Sequence, residues 1–187
     1  MNKHIILFFI ALIVITTPTY PFSSSSYLIT NTAVKLFDYK KAYSHLPPYN
    51  ENLNEIDLHN KLLTLTNLNL IDAAKKIAEQ ILETNMLNQE AWMVHLVSAK
   101  LKNSSEAFDK LAPIIKQEEM PLINYVFFNN NGTIKSTQES ARSIYEIVQS
   151  SLVDPESQGV DYNFILFYLT ISNLLDPSFY EGYYYSA

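Results

Sequence analysis

Beyond residue 26, apolar positions recur at helical spacing along most of the chain. Asn54 precedes Glu55 and Asp57, and Ile56, Leu58, Leu62, Leu63 and Leu65 follow. Asn69 precedes Asp72, and Ala73, Ala74, Ile77, Ala78, Ile81 and Leu82 form one stripe. Asn88 precedes Glu90, and Ala91, Trp92, Val94, His95, Leu96 and Ala99 follow. Each pattern predicts a helix. An Asn side chain can accept from the free N–H groups of a first turn, an acidic residue there suits the positive helix end, and i, i+3, i+4 spacing gathers one apolar face. Ser136 to Glu139 has capping-box spacing ahead of Ile144, Ile147 and Val148. Asp154-Pro155 is expected to close that helix, and a further one to run from about Val160 to Leu175. Asp176-Pro177 then predicts a new start, a cap residue before a proline at the first helical position.

Between Lys116 and Lys135 this rhythm breaks. A short helix is expected from Pro121 to Phe128, ended by Asn129-Asn130-Asn131-Gly132. Asn131-Gly132 is the sole hairpin-type dipeptide, and its flanks do not alternate as strands do. The expected fold class is all-α, with about seven helices in antiparallel pairs. A single pair cannot bury both of its apolar faces, so pairs must stack.

Ahead of the helices, Lys3 precedes the unbroken apolar run Ile5–Ile15, then Thr16, Thr17, Pro18 and the Ser23–Ser26 run. An apolar run of this length is shorter than the roughly 20 residues that span a bilayer as a helix. The layout is that of a secretory signal peptide over residues 1–25. Cleavage after Thr19 or after Ser25 is compatible with it, and an uncleaved membrane anchor is the alternative. Either way the body of the chain is expected outside the cytoplasm.

The helix pairs carry an internal period. Ala42, Ala74 and Ala107 recur at intervals of 32 and 33 residues, each early in the second helix of a pair. A small residue lets two helices approach closely at their crossing. Trp92 stands near the start of a first helix, with Leu96 and Ala99 after it, and Asp176-Pro177 stands where a terminal proline would. On these residues the chain resembles the tetratricopeptide repeat, and its layout resembles exported bacterial proteins of that family. The resemblance covers 26–115 best, leaves 116–135 as an irregular linker or short helix, and resumes over 136–187 as a further pair plus the start of another helix. It implies a solenoid whose first helices line a concave, peptide-binding groove. By spacing, the groove residues would be Tyr27 and Asn31, then His59, Leu63 and Thr66, then Met93, Val97 and Lys100.

Composition narrows the chemistry. The 187 residues hold 13 Lys and Arg against 19 Asp and Glu, a net charge of −6 that argues against nucleic-acid binding. No Lys or Arg follows Arg142, so the aromatic C-terminal quarter carries the net charge. Cysteine is absent, which removes disulfides, thiolate metal sites and Cys nucleophiles. Three glycines are too few and scattered for a phosphate-binding loop. His4, His45, His59 and His95 show no metal-ligand spacing, and Glu118-Glu119 and Asp154/Glu156 read as solvated turn residues. No serine sits in a nucleophile elbow. Asn103-Ser104-Ser105 and Asn131-Gly132-Thr133 match the glycosylation pattern by chance.

The sequence therefore predicts a non-enzymatic interaction module, an adaptor or assembly factor of the bacterial envelope. It would need no cofactor or metal and would bind a protein or peptide, with membrane contact only through an uncleaved leader. The alternative is a structural, self-associating envelope protein that docks through its aromatic C-terminal helix. That helix, starting at Asp176-Pro177, is expected either to continue into further repeats or to dock on another molecule.

Overall fold

The computed structural model of the protein describes residues 24–47, 53–115, 120–153 and 161–179. These residues are all-helical apart from one isolated bridge between Phe128 and Ile134. Nine helices are formed among them: α1 (Ser24–Lys35), α2 (Tyr39–Ser44), α3 (Glu55–Asn67), α4 (Ile71–Thr84), α5 (Gln89–Leu101), α6 (Glu106–Ile115), α7 (Pro121–Phe127), α8 (Thr137–Val153) and α9 (Tyr162–Leu175). The count exceeds seven because α2 and α7 are short helices of six and seven residues. Ser24–Ser26, in the serine run that follows the apolar leader, form the first turn of α1. The apolar leader, Glu118-Glu119, Asp154-Pro155 and the segment after Phe179 lie outside the described residues. No described helix is long and apolar enough to cross a membrane.

Caps set most of the starts. Asn54 Oδ1 accepts from Asp57 N at 2.9 Å, and Asn88 Oδ1 from Ala91 N at 2.8 Å. Ser136 and Glu139 close a reciprocal capping box, with Glu139 Oε2 accepting from Ser136 N at 2.7 Å and Ser136 Oγ from Glu139 N at 3.2 Å. Asn69 does something else. It sits at φ 59° and terminates α3, with Asn69 N donating to Thr66 O and Leu70 N to Leu65 O, both at 2.9 Å. This is the left-handed double-bonded helix terminator, and α4 starts behind Leu70 without a side-chain cap.

The same terminator ends all three first helices. Phe37 (φ 59°) closes α1, with Asp38 N donating to Ala33 O at 2.9 Å, and Asn103 (φ 53°) closes α5, with Ser104 N donating to Ala99 O at 2.9 Å. Each first helix is thereby turned into a second helix whose small residue, Ala42, Ala74 or Ala107, is buried. Phe37 is the poor fit, because a side chain at positive φ costs roughly 1–2 kcal/mol and this ring is 42% exposed. Phe37→Gly is expected to raise stability by roughly 0.5–1 kcal/mol, read as an upward shift of the thermal midpoint.

The turn between α4 and α5 also recurs. Asn85 stands at φ −137°, ψ 85°, its N–H on Ile81 O, and Asn88 N donates to Asn85 O at 3.1 Å. Asp176 stands at φ −138°, ψ 93°, its N–H on Ser172 O, and Phe179 N donates to Asp176 O at 3.1 Å. Within the described residues, Asp176 therefore ends α9, its carboxylate accepting from Ser178 N at 3.0 Å.

Successive helices from α1 to α6 pack on one another in order. After α6 the stack is interrupted by α7 and a tight turn. Gly132 N donates to Asn129 O, Asn129 N to Thr133 O and Lys135 N to Phe127 O, each at 2.8 Å. The Asn131-Gly132 dipeptide thus does make a hairpin-like reversal, with Gly132 at φ 80°, although only one bridge flanks it. α8 and α9 then pair, and α9 returns to lie against both α3 and α5. This return departs from an open solenoid.

Candidate functional site

The groove expected from the first helices begins on α1, where Tyr27 and Asn31 are half-buried. Across α3 and α5 it is filled. Leu63 is 4% exposed and Thr66, Met93 and Val97 are fully buried, so these four are interior residues and do not line an open groove. The covering element is α9, which packs on α3 and α5. Thr170 Oγ1 donates to Asn67 Oδ1 at 3.0 Å, and Tyr39 OH donates to Asn163 Oδ1 at 3.0 Å. Asn163, Phe167, Thr170 and Leu174 share one helical stripe at i, i+4, i+7, i+11, and its bonded members touch α2 and α3. Lys100 is also engaged. Its ammonium donates to the Lys135 carbonyl, lies 5.6 Å from the centre of the Phe108 ring, and has its pKa held down by burial.

Of the α3 and α5 set, His59 keeps a partly open side chain, 44% exposed. Its Nδ1 lies 3.2 Å from Glu90 Oε2, tying α3 to α5, with Asp161 and Glu55 adding negative field. The hydrogen bond to Glu90 raises the His59 pKa, against the opposing pull of burial. Beside it, burial and the Asp161 charge push the Tyr39 phenol up to about 12. Because the folded pKa of His59 is raised, its contribution is fully present below the unfolded value and is lost as pH rises through the folded one. His59→Gln is therefore expected to lower the thermal midpoint most near about pH 5.5, with the deficit fading toward about pH 8.5.

On the opposite side, α4, α5 and α6 enclose a cavity of about 100 Å³. His95 Nδ1 and Ser98 Oγ line it and have no hydrogen-bond partner. Glu79 Oε1 is 3.7 Å from His95 Nδ1, beyond hydrogen-bond reach. Burial holds the His95 pKa down, so its contribution to stability is lost as pH falls, the reverse of His59. The lysines at the rim are paired, Lys75 with Glu79, Lys102 with Asp72 and Lys110 with Glu106. Among the described residues, no group of three His, Asp or Glu side chains is arranged to hold a metal ion.

A larger cleft of about 740 Å³ lies on the outer side of α7. Pro121, Asn124, Tyr125 and Phe128, from α7 and its C-terminal end, line it together with Asn129, Asn130, Gly132 and Lys135 from the turn that follows. The sequence predicts a linker or short helix over this segment and no site on it. The signal was present, since 121, 124, 125 and 128 fall on one helical stripe. Ile123, Val126 and Phe127 occupy the buried face opposite.

No protein-family model, curated protein or solved structure matches the chain.

Proposed function

We propose that the protein is a non-enzymatic interaction module, a tetratricopeptide-repeat-like stack of helix pairs serving as an adaptor or assembly factor at a bacterial cell envelope. One observation carries the reading. A single helix-pair geometry recurs along the chain, with left-handed terminators at Phe37, Asn69 and Asn103 and buried alanines at 42, 74 and 107. The shared turn at 85–88 and 176–179 extends the recurrence to α9. Stacked pairs of this kind offer extended surfaces suited to protein or peptide partners. Export rests on the n/h/c pattern of residues 1–25. With α9 over α3 and α5, partner contact in this reading falls on other surfaces. A second reading, self-association, is favoured by the outer face of α1 and α2. There Leu28 and Leu36 are 59% and 71% exposed, beside an apolar groove of about 400 Å³.

The test is capture from an envelope extract, followed by reconstitution with the purified captured protein. A different protein, bound in fixed stoichiometry when both are pure, is the expected result. Recovery of the chain alone, with a mass that grows with concentration, would replace the adaptor by the self-associating protein. A tagged chain found in the cytoplasmic fraction would remove the envelope assignment.

A further inference from the structure

We propose that the cavity between α4, α5 and α6 binds a small tetrahedral oxyanion of the phosphate and sulfate type. This goes beyond the interaction-module reading and does not depend on it.

The inner wall of the cavity carries buried donors that the fold leaves unused. His95 is 6% exposed and Ser98 1%, and neither His95 Nδ1 nor Ser98 Oγ has a hydrogen-bond partner. The two stand three residues apart, on one face of α5. A buried polar group without a partner keeps its full desolvation cost. Two of them in one cavity point to a ligand that satisfies both. The His95 ring is fixed in advance, edge-on to Trp92 with the ring centres 5.6 Å apart.

The head of α6 supplies further donors. Ser105 O accepts from Phe108 N at 2.9 Å and from Asp109 N at 3.0 Å, while the N–H groups of Glu106 and Ala107 bond to nothing among the described residues. Both residues line the cavity. Free first-turn N–H groups and the positive end of the helix dipole favour an anion.

The charge at the rim has the same sign. Lys75, Lys102 and Lys110 line the cavity with Glu79 and Glu106, whereas Asp72, the partner of Lys102, lies outside it. Three ammonium groups thus face two carboxylates. Glu79 is held by Lys75 at 3.4 Å and Glu106 by Lys110 at 3.0 Å. Ion pairs at an exposed rim are weak, so an ammonium can exchange its carboxylate for a bound ion. The volume of about 100 Å³ equals roughly three waters at about 30 Å³ each, which suits one tetrahedral oxyanion. An anion at Nδ1 favours the imidazolium, so binding strengthens as pH falls and the His95 pKa rises when the cavity is filled. The charged groups around His95 are Lys75 and Glu79 of α4, Lys102 at the end of α5, and Glu106 and Lys110 of α6.

The experiment is a nuclear magnetic resonance titration of the full chain with sodium sulfate at constant ionic strength, followed at the His95 ring and the Trp92 indole. Sodium chloride is the comparison, and sulfate keeps one charge across the pH range used. Saturable shifts with sulfate are expected, tighter at about pH 6 than at about pH 8, together with a raised His95 pKa. Ser98→Ala removes a hydroxyl that has no partner in the fold, and is expected to weaken binding about 3- to 10-fold. Lys102→Gln, at an exposed position, is expected to weaken it about 3-fold, with the loss shrinking at high salt. Equal responses to chloride and sulfate would leave the cavity to water alone and overturn the proposal. So would the absence of saturable shifts at His95, affinity that does not change with pH, or a Ser98→Ala chain that binds sulfate as tightly as the native one.

Discussion

Phe167→Ala is expected to cost about 3–5 kcal/mol, the range for emptying a large aromatic position in a packed interior. Phe167 is fully buried in α9, edge-on to Tyr168 at 5.2 Å. It lies on the stripe whose neighbours Asn163 and Thr170 bond to Tyr39 and Asn67. Deleting the ring leaves a void between α9 and the first-helix face it covers. Thr170→Val removes only the bond to Asn67 and is expected to cost about 1 kcal/mol. Chemical denaturation of the two variants measures both. Equal, small losses would mean that α9 is not held by packing.

Ala74→Trp is expected to cost at least about 1–3 kcal/mol, and Ala107→Trp a similar amount. Ala74 is fully buried and Ala107 is 5% exposed, each early in the second helix of a pair. A side chain of indole size has no space there unless the hairpin opens. Glu83→Trp, on an exposed position of the same helix as Ala74, is expected to change stability by less than about 0.5 kcal/mol. Thermal midpoints of the three variants make the comparison. If Ala74→Trp and Ala107→Trp melt with the native chain, the small-residue crossings do not exist.

Local signals were legible where chemistry is local. Asn54, Asn88 and the Ser136–Glu139 box cap the helices they were expected to cap. Pro121 starts a short helix where its ring suits the first position. Asn69 misled because Asn is favoured both as a start and in the left-handed terminator, and only the backbone angle separates the two. Asp176 misled for a related reason, since the carboxylate that would cap a helix here caps the turn ending α9.

The candidate groove was the least legible part, because its fate depends on a helix far away in sequence. Leu63, Met93 and Val97 fit a groove with apolar anchors and fit a core equally well. Two features favoured the core. α5 is apolar around much of its girth, with nine consecutive buried residues from Ala91 to Ala99. α9 likewise carries apolar residues on more than one face, with Ile165, Phe167, Tyr168, Leu169 and Ile171 all buried. Helices apolar all round are covered on several sides. Burial of Tyr168 beneath its neighbours also raises its phenol pKa, desolvation being the main cause.

The return of α9 onto α3 and α5 decides which surfaces the protein presents, and the cysteine-free chain allows a direct test. Asn67→Cys and Thr170→Cys, introduced together, place two thiols where the native side chains meet at 3.0 Å. A short bifunctional thiol reagent is then applied to the dilute native protein and to the protein in denaturant, and the products are mapped by mass spectrometry. The account predicts an internal cross-link between positions 67 and 170 in the native monomer that disappears in denaturant. Two singly modified thiols, or cross-links only between separate chains, would show that α9 does not cover the first-helix face.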